Sequence, residues 1–136
     1  MKILGIEHIG IAVGNLEKNA PFWKLLLNNN DPITEEIIDQ KVVTEIFDTG
    51  HGKIELLEAN SQDSPIGKFI EKRDQGIHHI CLQVDNIKLA IEELIEAGVE
   101  LIDKTPRVGA EGYLIAFIHP RSAGGVLVEL AEKPVG

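Results

Sequence analysis

Two stretches of the chain carry one pattern: residues 5–16 read GIEHIGIAVGNL, and residues 76–87 read GIHHICLQVDNI. Gly, Ile, His, Ile, Val and Asn recur in place between the copies. Each copy alternates apolar side chains with small or polar ones, which predicts a strand. In each copy the alternating run leads to an Asn, Asn15 or Asn86, a residue that favours the start of a helix. A duplicated strand–helix unit is therefore the basis of the predicted fold.

The repeat extends beyond these two stretches. KIELLE at residues 53–58 corresponds to LVELAE at residues 127–132. Alternation and turn residues predict further strands at 41–48 and 52–58 in the first half, and at 100–108, 113–119 and 125–132 in the second. The predicted fold is α+β, with two tandem βαβββ modules that form a curved mixed sheet around a cup and keep their helices outside. We expect one domain over residues 1–136, with module one at about 1–60, a connection at about 61–74 and module two at about 75–136.

Composition bounds the function. The 136 residues include 22 Asp+Glu and 13 Lys+Arg, a formal net charge of −9, which disfavours binding to nucleic acid or to an anionic membrane surface. No apolar run approaches the roughly 20 residues of a membrane span. The chain has one cysteine, Cys81, and its first residues lead directly into a patterned strand. These features predict a cytoplasmic protein without an internal disulfide.

The candidate ligands come from the faces of the repeated strands. Successive side chains of a strand point to opposite faces, so Ile9, Ile11 and Val13 share one face and His8 lies on the other. His79 holds the place of His8 in the second copy. Glu55 and Glu129 each lie inside an apolar strand, where a carboxylate is costly to bury unless it is paired or bound to a metal.

A pseudo-two-fold axis between the modules would bring these four side chains together. Two imidazoles and two carboxylates suit a divalent first-row ion, and six-coordination would leave two positions for water or substrate. The sequence therefore predicts a metal site made by His8, Glu55, His79 and Glu129. Co²⁺, Mn²⁺, Ni²⁺ and Zn²⁺ all tolerate such ligands, so the choice among them stays open.

The layout and its motifs resemble the vicinal oxygen chelate superfamily, and within it the methylmalonyl-CoA epimerases. The resemblance covers nearly the whole chain, and it is carried by IEHIGIAV, KIELLEA, GIHHICLQVDNI, TPRVGAEG at 105–112 and IHPRSAGGVLVEL at 118–130. The resemblance places metal ligands on the same four residues. It implies that the ion stabilises the enolate formed when the α proton of an acyl-CoA substrate is removed. Epimerisation then needs a base on each face of the planar enolate, or one base that reaches both.

The resemblance implies that Glu129 is one such base. Some family members carry a second Glu after a Glu-Gln-Gly-Val motif, and an ungapped alignment places Thr44 there. Glu45 follows Thr44, and only a bulge or a local slip would turn it toward the site. Because it is the glutamate next to that position, Glu45 is the candidate for the second base, and its role requires such a bulge or slip. Arg107, Arg121 and Ser122 lie in epimerase-like loops and are candidates for contacts with the substrate carboxylate or the CoA phosphates.

Two other functions stay open. A glyoxalase I-like lyase, acting on thiol adducts, uses the same two-His, two-Glu set. A metal-free protein that sequesters antibiotics shares the fold, but such proteins typically lack the four ligands. We expect a homodimer, with the site either inside one chain or shared across the dimer interface.

Overall fold

The structure is a computed structural model that describes residues 1–135 of the chain, and these contain eight β-strands and three α-helices. The strands are β1 (Ile3–Ala12), β2 (Ile33–Ile37), β3 (Val42–Asp48), β4 (Lys53–Ala59), β5 (Gly76–Val84), β6 (Arg107–Val108), β7 (Leu114–Ile118) and β8 (Val128–Glu132). The helices are α1 (Leu16–Leu26), α2 (Pro65–Arg73) and α3 (Ile87–Glu96). The mixture of elements confirms the α+β class.

The chain forms two compact units. The first unit comprises His8–His78, and the second comprises His79 onward together with Met1–Glu7. The strand order is β2-β3-β4-β1 in the first unit and β5-β8-β7-β6 in the second. In each unit the repeated strand pairs in parallel with the last strand of its module, and the other pairs are antiparallel. Both units therefore have the predicted βαβββ arrangement.

The repeated Asn residues start the two large helices. The Asn15 side chain accepts a hydrogen bond from the backbone N–H of Lys18 (3.0 Å), and Asn86 accepts one from Leu89 (3.1 Å). Such a bond satisfies one of the N–H groups that lack a partner in the first turn of a helix. Pro21 lies inside α1 without ending it.

The apolar face of each repeated strand lies under the helix that follows it. In the first unit Val13, Phe47 and Leu56 are buried against Ala20 of α1, and Trp23 packs on the same cluster. In the second unit Val84 and Leu130 are buried with Ile87 and Ile91 of α3. The face prediction is thus confirmed in both units. The opposite face of each sheet carries the repeated histidine, and we call it the histidine face.

The structure departs from the predicted strands at two places. Residues 33–37, which were not predicted as a strand, form β2 at the edge of the first unit. The strand predicted at 100–108 is reduced to the two residues of β6 and an isolated bridge at Leu101. The reason is Asp103, whose carboxylate accepts the backbone N–H of Phe117 (2.9 Å) and replaces a ladder bond there.

Among the described residues, none of the helices combines the length and the apolar character that a membrane crossing requires.

Candidate metal centre

The first unit holds one of the two predicted His–Glu pairs. His8 on β1 and Glu55 on β4 lie on the histidine face, because Glu55 is in register with Gly10, two residues from His8. His8 Nδ1 is 3.0 Å from Glu55 Oε2. The two side chains are only 8% and 5% exposed. A buried imidazole and a buried carboxylate thus face each other on neighbouring parallel strands.

The second unit holds the equivalent pair. Glu129 on β8 is in register with Cys81, two residues from His79 on β5. His79 Nε2 is 3.0 Å from Glu129 Oε1, and the side chains are 6% and 7% exposed. The pairing and its distance are therefore repeated in the second unit, although His8 presents Nδ1 and His79 presents Nε2 to the carboxylate.

Both pairs fit the donor geometry of a divalent ion. Protein nitrogen and oxygen ligands lie about 2.1 Å from such an ion. Two of them at right angles would be about 3.0 Å apart on that basis. Both pairs have this separation. Imidazole and carboxylate donors also suit the first-row divalent metals better than calcium or copper(I).

Aromatic packing fixes the second pair. The rings of His79 and Phe117 meet edge to face with their centroids 5.7 Å apart. Phe117 on β7 is in register with Glu129, so it lies on the histidine face. Phe117 was not among the predicted site residues, because the five apolar residues of LIAFI indicate a buried strand without distinguishing one of them.

The register of β3 places Thr44, rather than Glu45, on the histidine face. Thr44 pairs with Leu57 and Ile46 pairs with Glu55, while Glu45 pairs with Leu56 in the core under α1. The pairing runs from Val42 to Asp48 without an extra residue. No bulge therefore turns Glu45 toward the site, and its predicted role as the second base finds no support in this geometry.

Arg107 lies on the histidine face of the second unit. Its partner Ile115 pairs with Ala131, two residues from Glu129. The guanidinium carbon is 5.7 Å from the centre of the Phe117 ring, and Nε donates a hydrogen bond to Asp103 Oδ1 (3.1 Å). The side chain is thereby held in one orientation on the same face as the second pair.

The other two predicted substrate contacts are placed differently. The Arg121 side chain is 74% exposed and lies 3.4 Å from Glu100. The Ser122 hydroxyl oxygen accepts the backbone N–H of Glu100 (2.8 Å). Ser122 thus joins the short 3-10 helix at Pro120–Ser122 to the segment before β6, a structural role that the sequence did not suggest.

Two further repeated residues were also missed. Glu58 accepts the N–H of Leu16 (2.8 Å), and Glu132 accepts the N–H of Ile87 (2.9 Å). Each carboxylate therefore holds the first residue of a helix from the end of the last strand of its module. The alignment of KIELLE with LVELAE already paired these two residues.

Comparison with known proteins identifies the class. Residues 7–117 match the Glyoxalase/Bleomycin resistance protein/Dioxygenase superfamily, and the chain belongs to it. The resemblance found in the sequence is thus confirmed.

Several similar proteins within this superfamily are named methylmalonyl-CoA epimerases. The chain is 39% identical to the mitochondrial methylmalonyl-CoA epimerase of Dictyostelium discoideum over 94% of this chain and 78% of that protein. The structure of methylmalonyl-CoA epimerase from Mycobacterium tuberculosis is 31% identical, with a TM-score of 0.92 over 98% of this chain and 90% of that one. A methylmalonyl-CoA epimerase solved with methylmalonyl-CoA and NH₄⁺ gives a TM-score of 0.91 at 28% identity, over 98% and 97% of the two chains. Nearly the whole chain therefore shares the fold of these enzymes.

Proposed function

We propose that this protein is a metal-dependent epimerase that interconverts the epimers of methylmalonyl-CoA. The observation that carries the proposal is the repeated, buried His–Glu pair, with the same 3.0 Å separation in both units. A chain of the same fold has been solved with methylmalonyl-CoA bound, which supports an acyl-CoA substrate.

His8, Glu55, His79 and Glu129 are the proposed ligands of one divalent ion, which is Co²⁺, Mn²⁺, Ni²⁺ or Zn²⁺. When bound, the ion supplies Lewis-acid stabilisation of the negative charge that develops as the α proton leaves. The buried positions of the four side chains exclude water from around them, which strengthens their interaction with a charged substrate.

Glu129 is the proposed acceptor of the α proton. Its carboxylate is buried beside the His79 imidazole, and the edge-to-face Phe117 ring restricts the movement of that imidazole. A carboxylate held in this way is oriented before the substrate arrives, which is the requirement for proton transfer from a weak carbon acid.

Arg107 is the proposed partner of the substrate carboxylate. Its planar guanidinium matches a carboxylate in geometry, and Asp103 and Phe117 keep it on the histidine face. Arg121 and Ser122 remain proposed contacts for the CoA phosphates. The exposure of Arg121 suits a charged group near the surface better than one in a buried site.

We also propose that both units form one domain over residues 1–136, that the protein is a homodimer, and that it functions in the cytoplasm. A single cysteine in the whole chain suits a reducing compartment. Light scattering coupled to gel filtration tests the dimer, since a mass of 14.9 kDa would show a monomer.

The test follows the α proton of methylmalonyl-CoA in D₂O by NMR, with protein stripped of metal and then reloaded with Co²⁺ or Mn²⁺. We expect rapid deuterium incorporation and interconversion of the epimers with metal, and their loss in His79→Ala. His51→Ala, which removes an exposed histidine in the turn before β4, is the matched control and keeps full activity. Absence of exchange by the fully loaded protein would refute the epimerase. Conversion of methylglyoxal–thiol adducts instead would indicate the glyoxalase I-like lyase, and failure to take up metal would indicate the sequestering protein.

A further inference from the structure

An epimerase that uses one base on each face of the enolate needs a second proton-transfer group besides Glu129, and Thr44 occupies the expected place for it. A threonine hydroxyl does not accept a proton from carbon near neutral pH, because its conjugate acid is far too strong. Thr44 is 1% exposed on the histidine face of the first unit, the same face as Glu55. A carboxylate beside Thr44 on this face would be placed to serve as the second proton-transfer group.

The register of β2 places Glu35 beside Thr44. Glu35 pairs directly with Thr44 across the antiparallel β2–β3 pair. Directly opposed residues share a face and have Cβ atoms about 5 Å apart. Thr44 in turn pairs with Leu57, so Glu55 is its diagonal neighbour on β4, at a Cβ separation of about 7–8 Å. Glu35, Thr44 and Glu55 therefore follow one another across the histidine face.

The surroundings of Glu35 argue against a merely solvated residue. Ile33 and Ile37 flank it on the same face of β2; Ile37 is buried, and Ile33 is 55% exposed. Glu35 itself is half-buried rather than exposed.

The second unit supports a functional position. Residue 107 pairs with Ile115 as Glu35 pairs with Thr44, and both pairs stand at the same number of residues from the ligand carboxylate of their unit. The equivalent of Glu35 is thus Arg107, the residue proposed to bind the substrate carboxylate. The same register position therefore carries the negatively charged Glu35 in the first unit and the positively charged Arg107 in the second.

We propose that Glu35 is the second proton-transfer residue of this epimerase. It lies on β2, whereas the position expected from the family, occupied here by Thr44, lies on β3. This inference rests on the proposed function. The α C–H bond breaks, its electron pair passes into the thioester carbonyl, and the proton goes to the carboxylate of Glu129 or of Glu35. The other residue, in its protonated form, returns a proton to the opposite face of the planar carbon. The net result is inversion, with no oxidant or reductant required.

The experiment separates inversion from exchange. Each epimer of methylmalonyl-CoA is incubated in D₂O with metal-loaded wild-type protein or Glu35→Gln, and both deuterium content and configuration at the α carbon are measured. In the wild-type protein both epimers exchange and invert. In Glu35→Gln we expect inversion to fall by about 100-fold or more, a typical loss for a general acid–base residue. One epimer still exchanges its proton with retention, because Glu129 still serves that face.

Two further variants control for structure. Glu36→Gln removes the same charge from the next residue of β2, which lies on the opposite face and accepts a hydrogen bond from Asn60, and its inversion rate stays within twofold of the wild type. Glu35→Asp retains a carboxylate and restores part of the inversion, at a rate between those of Glu35→Gln and the wild type. Thermal midpoints confirm that the variants are folded.

The outcomes are distinct. Inversion by Glu35→Gln within threefold of the wild type would overturn the role of Glu35 and leave the epimerase intact. Loss of exchange from both epimers in Glu35→Gln would also overturn it, since a group serving one face cannot stop exchange at the other. Absence of exchange in the wild-type protein would refute the proposed function, and the role of Glu35 with it.

Discussion

Replacement of Glu132 by Ala should destabilise the protein by about 2–3 kcal/mol. The Glu132 carboxylate accepts the N–H of Ile87, the first residue of α3, at 2.9 Å, and Ile87 is fully buried. A hydrogen bond to a charged group contributes about 1.5–3 kcal/mol. A negative charge at a helix N-terminus adds about 0.3–1 kcal/mol through the helix dipole. The alanine variant loses both and leaves a buried N–H without its carboxylate partner.

Glu132→Gln separates the two contributions. The amide keeps an oxygen that accepts the Ile87 N–H but loses the charge, so we expect a loss of about 1 kcal/mol. Urea unfolding followed by circular dichroism measures both variants through the shift of the midpoint at constant slope. The alanine variant should also melt about 6–9 °C lower, at roughly 3 °C per kcal/mol for a chain of this size.

The repeat supplies an internal check. Glu58→Ala removes the equivalent bond to Leu16 in the first unit, and its cost should match that of Glu132→Ala to within about 1 kcal/mol. Glu92→Gln, on the exposed side of α3, serves as the control and should change stability by less than about 0.5 kcal/mol. A cost below about 0.5 kcal/mol for Glu132→Ala would refute the reasoning, because the bond would then be replaced by water without loss.

Three further predictions concern the proposed site. Co²⁺ at a hundredfold excess over its dissociation constant should stabilise the wild-type protein by about 2.7 kcal/mol, and a thermal melt measures this gain. His79→Ala should lose most of it. Equal stabilisation of the two proteins would show that the ion binds elsewhere. Glu45→Gln should keep the epimerisation rate within about threefold of the wild-type rate, because Glu45 pairs with Leu56 on the face that packs against α1. A hundredfold loss of rate, measured by NMR, would contradict the β3 register. Arg107→Lys should raise KM for methylmalonyl-CoA about tenfold with kcat little changed, since a lysine cannot make the bidentate contact. An unchanged KM would show that Arg107 does not bind the substrate carboxylate.

The duplication explains why so much of the candidate site could be predicted from the sequence. Strand alternation separates His8 from Ile9, and the second copy repeats that separation at His79. A single histidine in an apolar strand would carry little information. Two histidines and two glutamates at matching places indicate a shared constraint, and the structure gives both pairs the same 3.0 Å spacing.

The edge strands were the part that the sequence did not predict. Residues 33–37 read ITEEI, and glutamate is depleted in strands, so propensity disfavours the strand that the pairing with β3 imposes. Residues 100–108 have a strand-like pattern, but Asp103 takes the Phe117 N–H with its side chain and interrupts the ladder. In both cases a tertiary contact outweighs the local preference, and no local pattern contains that contact.

These same edge strands are where the two units differ in chemistry. The inner strands keep one His–Glu pair per unit, and these pairs supply the ligands of the proposed metal site. The outer strands carry Glu35 on β2 and Arg107 on β6 at equivalent register positions. An epimerase substrate is itself asymmetric, because it has an anionic carboxylate to be held and an α proton to be removed. In the proposed epimerase, the repeated His–Glu pairs would serve the metal, and the differing residues of the edge strands would serve the two ends of the substrate.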